Sequence, residues 1–139
     1  MKLSVKSDYA VRAVLTLARH YGQARALRVE EIARENGVPP NYLVQILIEL
    51  KSAEIVRSLR GKSGGYQLAR PPASITFADV LHCVHGALFD SPAFKDPRCP
   101  PELRDAWQRL RKAVESEAAR MNFQHLAEAG GDPVRMFYI

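Results

Sequence analysis

The stretch Ser58-Leu59-Arg60-Gly61-Lys62-Ser63-Gly64-Gly65-Tyr66-Gln67-Leu68 constrains the fold of this chain more than any other. The β-branched run Ile55-Val56 leads into it, and Tyr66-Gln67-Leu68 leads out. Three glycines between the two runs supply the backbone freedom of a hairpin turn. Two cations at the tip, Arg60 and Lys62, make a poor core but put charge on an element thin enough to enter a nucleic-acid groove. Gly61-Lys62-Ser63 also ends like a phosphate-binding loop. That motif needs a glycine where Val56 stands and a helix where Gly64-Gly65 follow, so both of its requirements fail. A plain structural hairpin is the alternative reading until the flanking segments are considered.

Upstream, Ala10, Ala13, Val14, Leu17, Ala18 and Tyr21 recur at helical spacing and predict a helix over 8–22, closed by Gly22. Asp8 and Arg12 stand four apart on its outer side. A short helix follows from Val29 to Asn36, burying Ile32 and Ala33 and stopping at Gly37. Pro39-Pro40 opens a third helix over Pro40–Ala53. Its stripe of Leu43, Ile46, Leu47 and Leu50 suits a core. Asn41, Gln45 and Ser52 lie opposite, with Val44 and Ile48 beside them. Amides pair with adenine edges and small apolar groups touch thymine methyls, so this face can read bases. A solvated face is the bland alternative, and the order short helix, tight turn, helix, basic hairpin favours recognition. The fold expected is mainly α with a small β-hairpin wing: a winged helix-turn-helix followed by a long C-terminal dimerisation helix.

Beyond Pro71-Pro72 a fourth helix is expected over 76–86, with Phe77, Val80, Leu81 and Val84 inward. A proline-rich loop over 87–101 precedes a long helix over 102–128. Leu103, Trp107, Leu110, Val114, Ala118 and Met121 give that helix a coiled-coil-like seam, which could pack on its own domain but whose length favours a matching surface on a second copy. Gly130-Gly131 then leads to an apolar tail, Met136-Phe137-Tyr138-Ile139. The chain divides into a winged head (1–70), a connecting helix and sensor-type loop (71–101), and a dimerisation helix with tail (102–139).

Charge follows the same division. The 139 residues carry a net charge of +5, yet residues 1–70 hold 12 Lys/Arg against 6 Asp/Glu, and the remainder 8 against 9. The excess therefore lies where the two-helix unit and hairpin lie, as expected of a nucleic-acid-binding head on a neutral partner-binding half. No apolar run is long enough to span a membrane and charges interrupt the N-terminal one, so the cytoplasm is the expected location. Two cysteines without a secretory signal argue against a disulfide framework. No nucleophile–base set, carboxylate pair or phosphate loop suggests an enzyme.

Met1-Lys2-Leu3-Ser4 with Asp8-Tyr9-Ala10-Val11-Arg12-Ala13, Ile32-Ala33 through Asn41-Tyr42-Leu43-Val44-Gln45, and Arg60-Gly61-Lys62-Ser63-Gly64-Gly65-Tyr66 together resemble the Rrf-two family of bacterial transcription regulators (IscR, NsrR and CymR types). The likeness runs over about residues 1–126. It implies a homodimer crossed by long helices, probing a double-stranded DNA operator of dyad symmetry, and in most cases repressing. Carried over by motif, Asn41, Tyr42 and Gln45 would face the major groove and Arg60, with Lys62 beside it, the minor groove. Lys2, Lys6 and Tyr9 would approach phosphates. Half-sites should lie ~34 Å apart or a multiple of it. A winged-helix protein-interaction module that has lost operator binding is the competing reading, and weak salt dependence of DNA binding would support it.

Many relatives sense through an iron–sulfur cluster on three cysteines in the loop before the long helix. Two cysteines, Cys83 and Cys99, exclude that arrangement by count, and no cofactor is expected. A mixed metal or cluster site could draw on Asp8, His82, Cys83, His85 and Cys99. Each has a plainer role: Asp8 pairing with Arg12, solvated histidines, and Cys83 as a small buried residue. Cys99 is the candidate redox thiol, close to Arg98 and to a helix N-terminus, both of which favour a thiolate.

Overall fold

The computed structural model describes residues 2–62 and 64–130. The tail Met136–Ile139 lies outside them. Helix α1 (Val5–Arg19) begins three residues before the expected start, because Ser4 caps it by accepting a hydrogen bond from the Ser7 amide at 3.2 Å. It ends at Arg19, not Gly22, and Tyr21 leaves the core face to stand 47% exposed. Helix α2 (Val29–Asn36) buries Ile32 and Ala33 and stops at Gly37. Helix α3 (Pro40–Ser52) buries the stripe its spacing predicted: Leu43, Ile46, Leu47 and Leu50. Asn36 Nδ2 donates to the buried Thr16 hydroxyl at 2.8 Å, giving the α1–α2 contact its polar fix.

Strands β1 (Val56–Leu59) and β2 (Gly65–Leu68) pair antiparallel, with Val56 opposite Leu68 and Leu59 opposite Gly65. Val56 and Leu68 turn inward, whereas Arg57 and Gln67 stand on the other face. Leu27 joins the hairpin through two backbone bonds to Tyr66, of 3.0 and 2.7 Å. Gly65 makes that approach possible: its φ is +146°, and a Cβ there would sit on the Leu27 carbonyl.

Helix α4 (Phe77–Val84) is shorter than expected. Thr76 and Asp79 cap it reciprocally, at 3.1 and 3.0 Å. The loop after it contains a 3-10 turn at Pro92–Lys95.

The long helix is not continuous to residue 128. Helix α5 (Pro101–Arg120) ends, Met121 and Asn122 are extended, and Asn122 caps a separate helix α6 (Phe123–Ala129). Tertiary pairing forces the break. Phe77 N–H donates to Met121 O at 2.8 Å and Phe123 N–H to Ile75 O at 3.0 Å, so the chain is pinned beside Thr76. Phe123, fully buried, stacks on Phe77 at 5.9 Å and joins the core of α1, α3 and α4. The expected seam is thereby divided. Ala118 is buried on α4, but Leu103 and Leu110 are each 52% exposed and Trp107 is 37% exposed. Among the described residues no helix is long and apolar enough to cross a membrane.

Candidate nucleic-acid interface

Helix α3 is held by its inner stripe and presents its other side to solvent. Asn41, Tyr42, Val44, Gln45 and Ile48 are all exposed. Two contacts fix this helix against the start of α1. Tyr9 meets Tyr42 edge to face, with ring centroids 5.5 Å apart and planes at 88°. Lys6 Nζ binds both oxygens of the Glu49 carboxylate, at 2.8 and 2.7 Å, in a partly buried pair. Lys6 is thus committed to Glu49, whereas Lys2 is exposed.

The wing tip carries Arg60 and Lys62, both exposed. Arg28 Nη2 donates to the Lys62 carbonyl at 2.7 Å, tying the tip to the start of α2. Among the described residues, no carboxylate lies within ion-pair distance of Arg28, Arg57, Arg60 or Lys62, so four cations with no acidic partner converge on the hairpin and its root. Arg25, by contrast, is paired with Glu31 at 2.8 Å. That bond, the Arg28 amide and the charges of Arg25 and Arg34 hold the Glu31 carboxyl below the ordinary glutamate range.

The sequence reading missed Arg28. Its signal was faint: a cation occupies the N-cap of α2, where a side-chain acceptor is favoured, so that side chain is available for another task. It also missed the Lys6–Glu49 clamp, whose partners are 43 residues apart.

The sensor candidates are not gathered. Asp8 pairs with Arg12 at 3.0 Å. His82 Nε2 lies 2.7 Å from Glu115 of α5, and His85 is an exposed residue ending α4. The Cys83 thiol donates to Glu49 O at 3.4 Å, and burial, then the Glu49 charge, push its pKa up. Cys99 lies in the loop, half-buried, where Arg104 reaches its carbonyl at 3.4 Å. Among the described residues no three His, Cys, Asp or Glu side chains are placed to hold a metal ion. The loop is instead fastened to α5 by Phe89 against Trp107 and by Arg111 over the Phe94 ring at 4.0 Å.

A helix pair whose second member shows an amide-bearing outer face, followed by a cationic hairpin, defines a winged helix-turn-helix DNA-binding protein. Residues 3–129 match the family model of Rrf2, described as an iron-dependent transcriptional regulator. The chain belongs to the Rrf2 family of transcription regulators and is not an enzyme. It is 40% identical over 121 residues to Rv1287 of Mycobacterium tuberculosis, named as an HTH-type transcriptional regulator, covering 84% of this chain and 74% of that one. It is 31% identical to the HTH-type transcriptional regulator CymR of Bacillus subtilis over the full length of both. The structure of B. subtilis CymR, described as a global cysteine regulator, superposes with a TM-score of 0.83 at 30% identity, over 92% of this chain and 97% of that one. IscR of T. potens superposes with a TM-score of 0.74 at 31% identity, over 93% and 88%. Of the metal-ligand candidates, the Cys83 thiol faces the Glu49 carbonyl and His82 Nε2 faces the Glu115 carboxylate.

Proposed function

We propose that this chain is a homodimeric repressor that binds a dyad-symmetric operator, with α3 in the major groove and the wing in the adjacent minor groove. The observation that carries this reading is the pairing of the solvent-facing amides Asn41 and Gln45 with a hairpin whose cations have no acidic partner among the described residues. Asn41 and Gln45 read base edges, and Tyr42, braced by Tyr9, contacts the backbone beside them. Arg60 enters the minor groove with Lys62 next to it, and Lys2 meets phosphates. Lys6 acts through Glu49, setting the angle of α3 instead of touching DNA.

Dimerisation draws on the exposed apolar stripe Leu103, Trp107 and Leu110, whose area a second α5 would cover. Any thiol-based response would fall to Cys99, because the Cys83 thiolate is disfavoured. The test is a fluorescence-anisotropy titration of DNA selected by the protein, run at several salt concentrations alongside light scattering for mass. A dimer whose affinity falls steeply with salt is expected. A monomer, or binding insensitive to salt, would overturn the reading in favour of a protein-interaction module.

A further inference from the structure

The outer face of the hairpin is not bare. The turn after α1 folds over it, and Gln67 Nε2 reaches the carbonyls of Gln23 and Ala24 at 3.5 and 3.4 Å. Between turn and sheet lies an open cavity of about 450 Å³, within the ~300–1,000 Å³ of small-molecule sites.

Three features define what fits there. Among the described residues no carboxylate lines the cavity, whereas Arg25, Arg57 and His20 do. Arg25 is held by Glu31, but Arg57 makes one bond, to Gln67 Oε1 at 3.0 Å, and has no acidic partner among the described residues. The Gln67 amide donates only at the outer limit of hydrogen-bond distance, so a better acceptor would capture it. Finally, Tyr21 and Leu59, both lining the cavity, are 47% and 38% exposed, leaving apolar surface in water in the same cavity as the Arg57 guanidinium.

The geometry points to a binding site for a small organic monocarboxylate with an apolar body. Its carboxylate bridges the Arg57 guanidinium and Gln67 Nε2, and its body covers Tyr21 and Leu59. A DNA phosphate would supply the charge but leave the apolar walls uncovered. Leu59 directly precedes Arg60, so an occupant braces the wing just below its tip. Binding stands independently of the DNA reading, and only the bracing role rests on it.

The probe is benzoate, titrated into the ¹⁵N-labelled full chain, with benzamide as the neutral isostere. Saturable shifts are expected at the Gln67 side-chain amide and at the Gly22 backbone amide. Both should weaken at least fivefold in Arg57→Gln and be nearly absent with benzamide, and the Gly22 shift should vanish in Gln67→Glu. Shifts that fail to saturate, that appear equally with benzamide, or that persist in both variants would overturn the site. So would an Arg57→Gln that weakens DNA binding in a protein that never responds to benzoate, which would make Arg57 a phosphate contact. DNA affinity with and without saturating benzoate then tests the bracing. A change of threefold or more is expected, and unchanged affinity would refute the bracing while leaving operator binding intact.

Discussion

Gly65→Ala is the substitution that the wing should tolerate least. A Cβ at this position meets the Leu27 carbonyl and the Arg28 amide, which are backbone atoms that cannot swing aside. The glycine also sits at φ +146°. The variant must either hold a strained backbone or give up the two Leu27–Tyr66 bonds of 3.0 and 2.7 Å. Strain of this kind costs about 1–3 kcal/mol, and two backbone bonds contribute about 1–3 kcal/mol together. A loss of about 1–3 kcal/mol is therefore expected by either route. Gly61→Ala is the matched control: its φ is +100°, but nothing lies within 4 Å of the added carbon, so only the left-handed strain of about 1–2 kcal/mol remains. Urea unfolding followed by circular dichroism gives the global value, and amide exchange at Leu27 and Tyr66 reads the hairpin's attachment. If Gly65→Ala stays within about 0.5 kcal/mol of wild type and both amides remain protected, the close-approach argument is wrong. A larger loss for Gly61→Ala than for Gly65→Ala would refute it equally.

Phe123→Ala empties a fully buried site stacked on Phe77 and should cost about 3–5 kcal/mol in urea unfolding; a loss under about 1 kcal/mol would mean that α6 does not contribute to the core. Glu31 should titrate below the usual glutamate range, because its charged form is favoured by Arg25 and the Arg28 amide. The stability it adds is present at neutral pH and declines as pH falls through its depressed folded-state value. Arg25→Ala should raise the Glu31 midpoint in a carbon-detected NMR titration, and an unmoved midpoint would refute the cause. Cys83, with its thiol bonded to Glu49 O and its pKa raised by burial, should resist iodoacetamide in the native protein. Mass mapping that finds Cys83 labelled before Cys99 would contradict this.

The elements legible in sequence were those set by local rules. The α3 stripe follows from helical spacing, and the wing from β-branched runs around glycines. The end of α2 at Gly37 was legible for the same reason. What was missed depended on distant partners. Apolar spacing continues smoothly through Ala118 and Met121, so nothing in the local pattern marks the break before Asn122; it arises because Ile75 and Phe77 claim the backbone there. The early start of α1 needed only its cap, Ser4, and could have been read. In the candidate interface, Asn41, Tyr42, Gln45, Arg60 and Lys62 were read as outward-facing chemistry, and all five are exposed. The commitment of Lys6 to Glu49 and of Arg28 to the wing tip was not, since pairs 43 and 34 residues apart leave no periodic trace.

The central claim is that α3 reads bases and the wing adds a second groove contact. Parallel selections from random DNA with wild type, Gln45→Ala and Arg60→Ala test it most directly. Wild type should enrich a palindrome with half-site centres ~34 Å apart or a multiple of it. Gln45→Ala should lose preference at the same position in each half. Arg60→Ala should bind the selected site about 1–3 kcal/mol more weakly. An identical motif and affinity in all three proteins, or no enriched motif with wild type, would contradict the assignment of these residues to DNA.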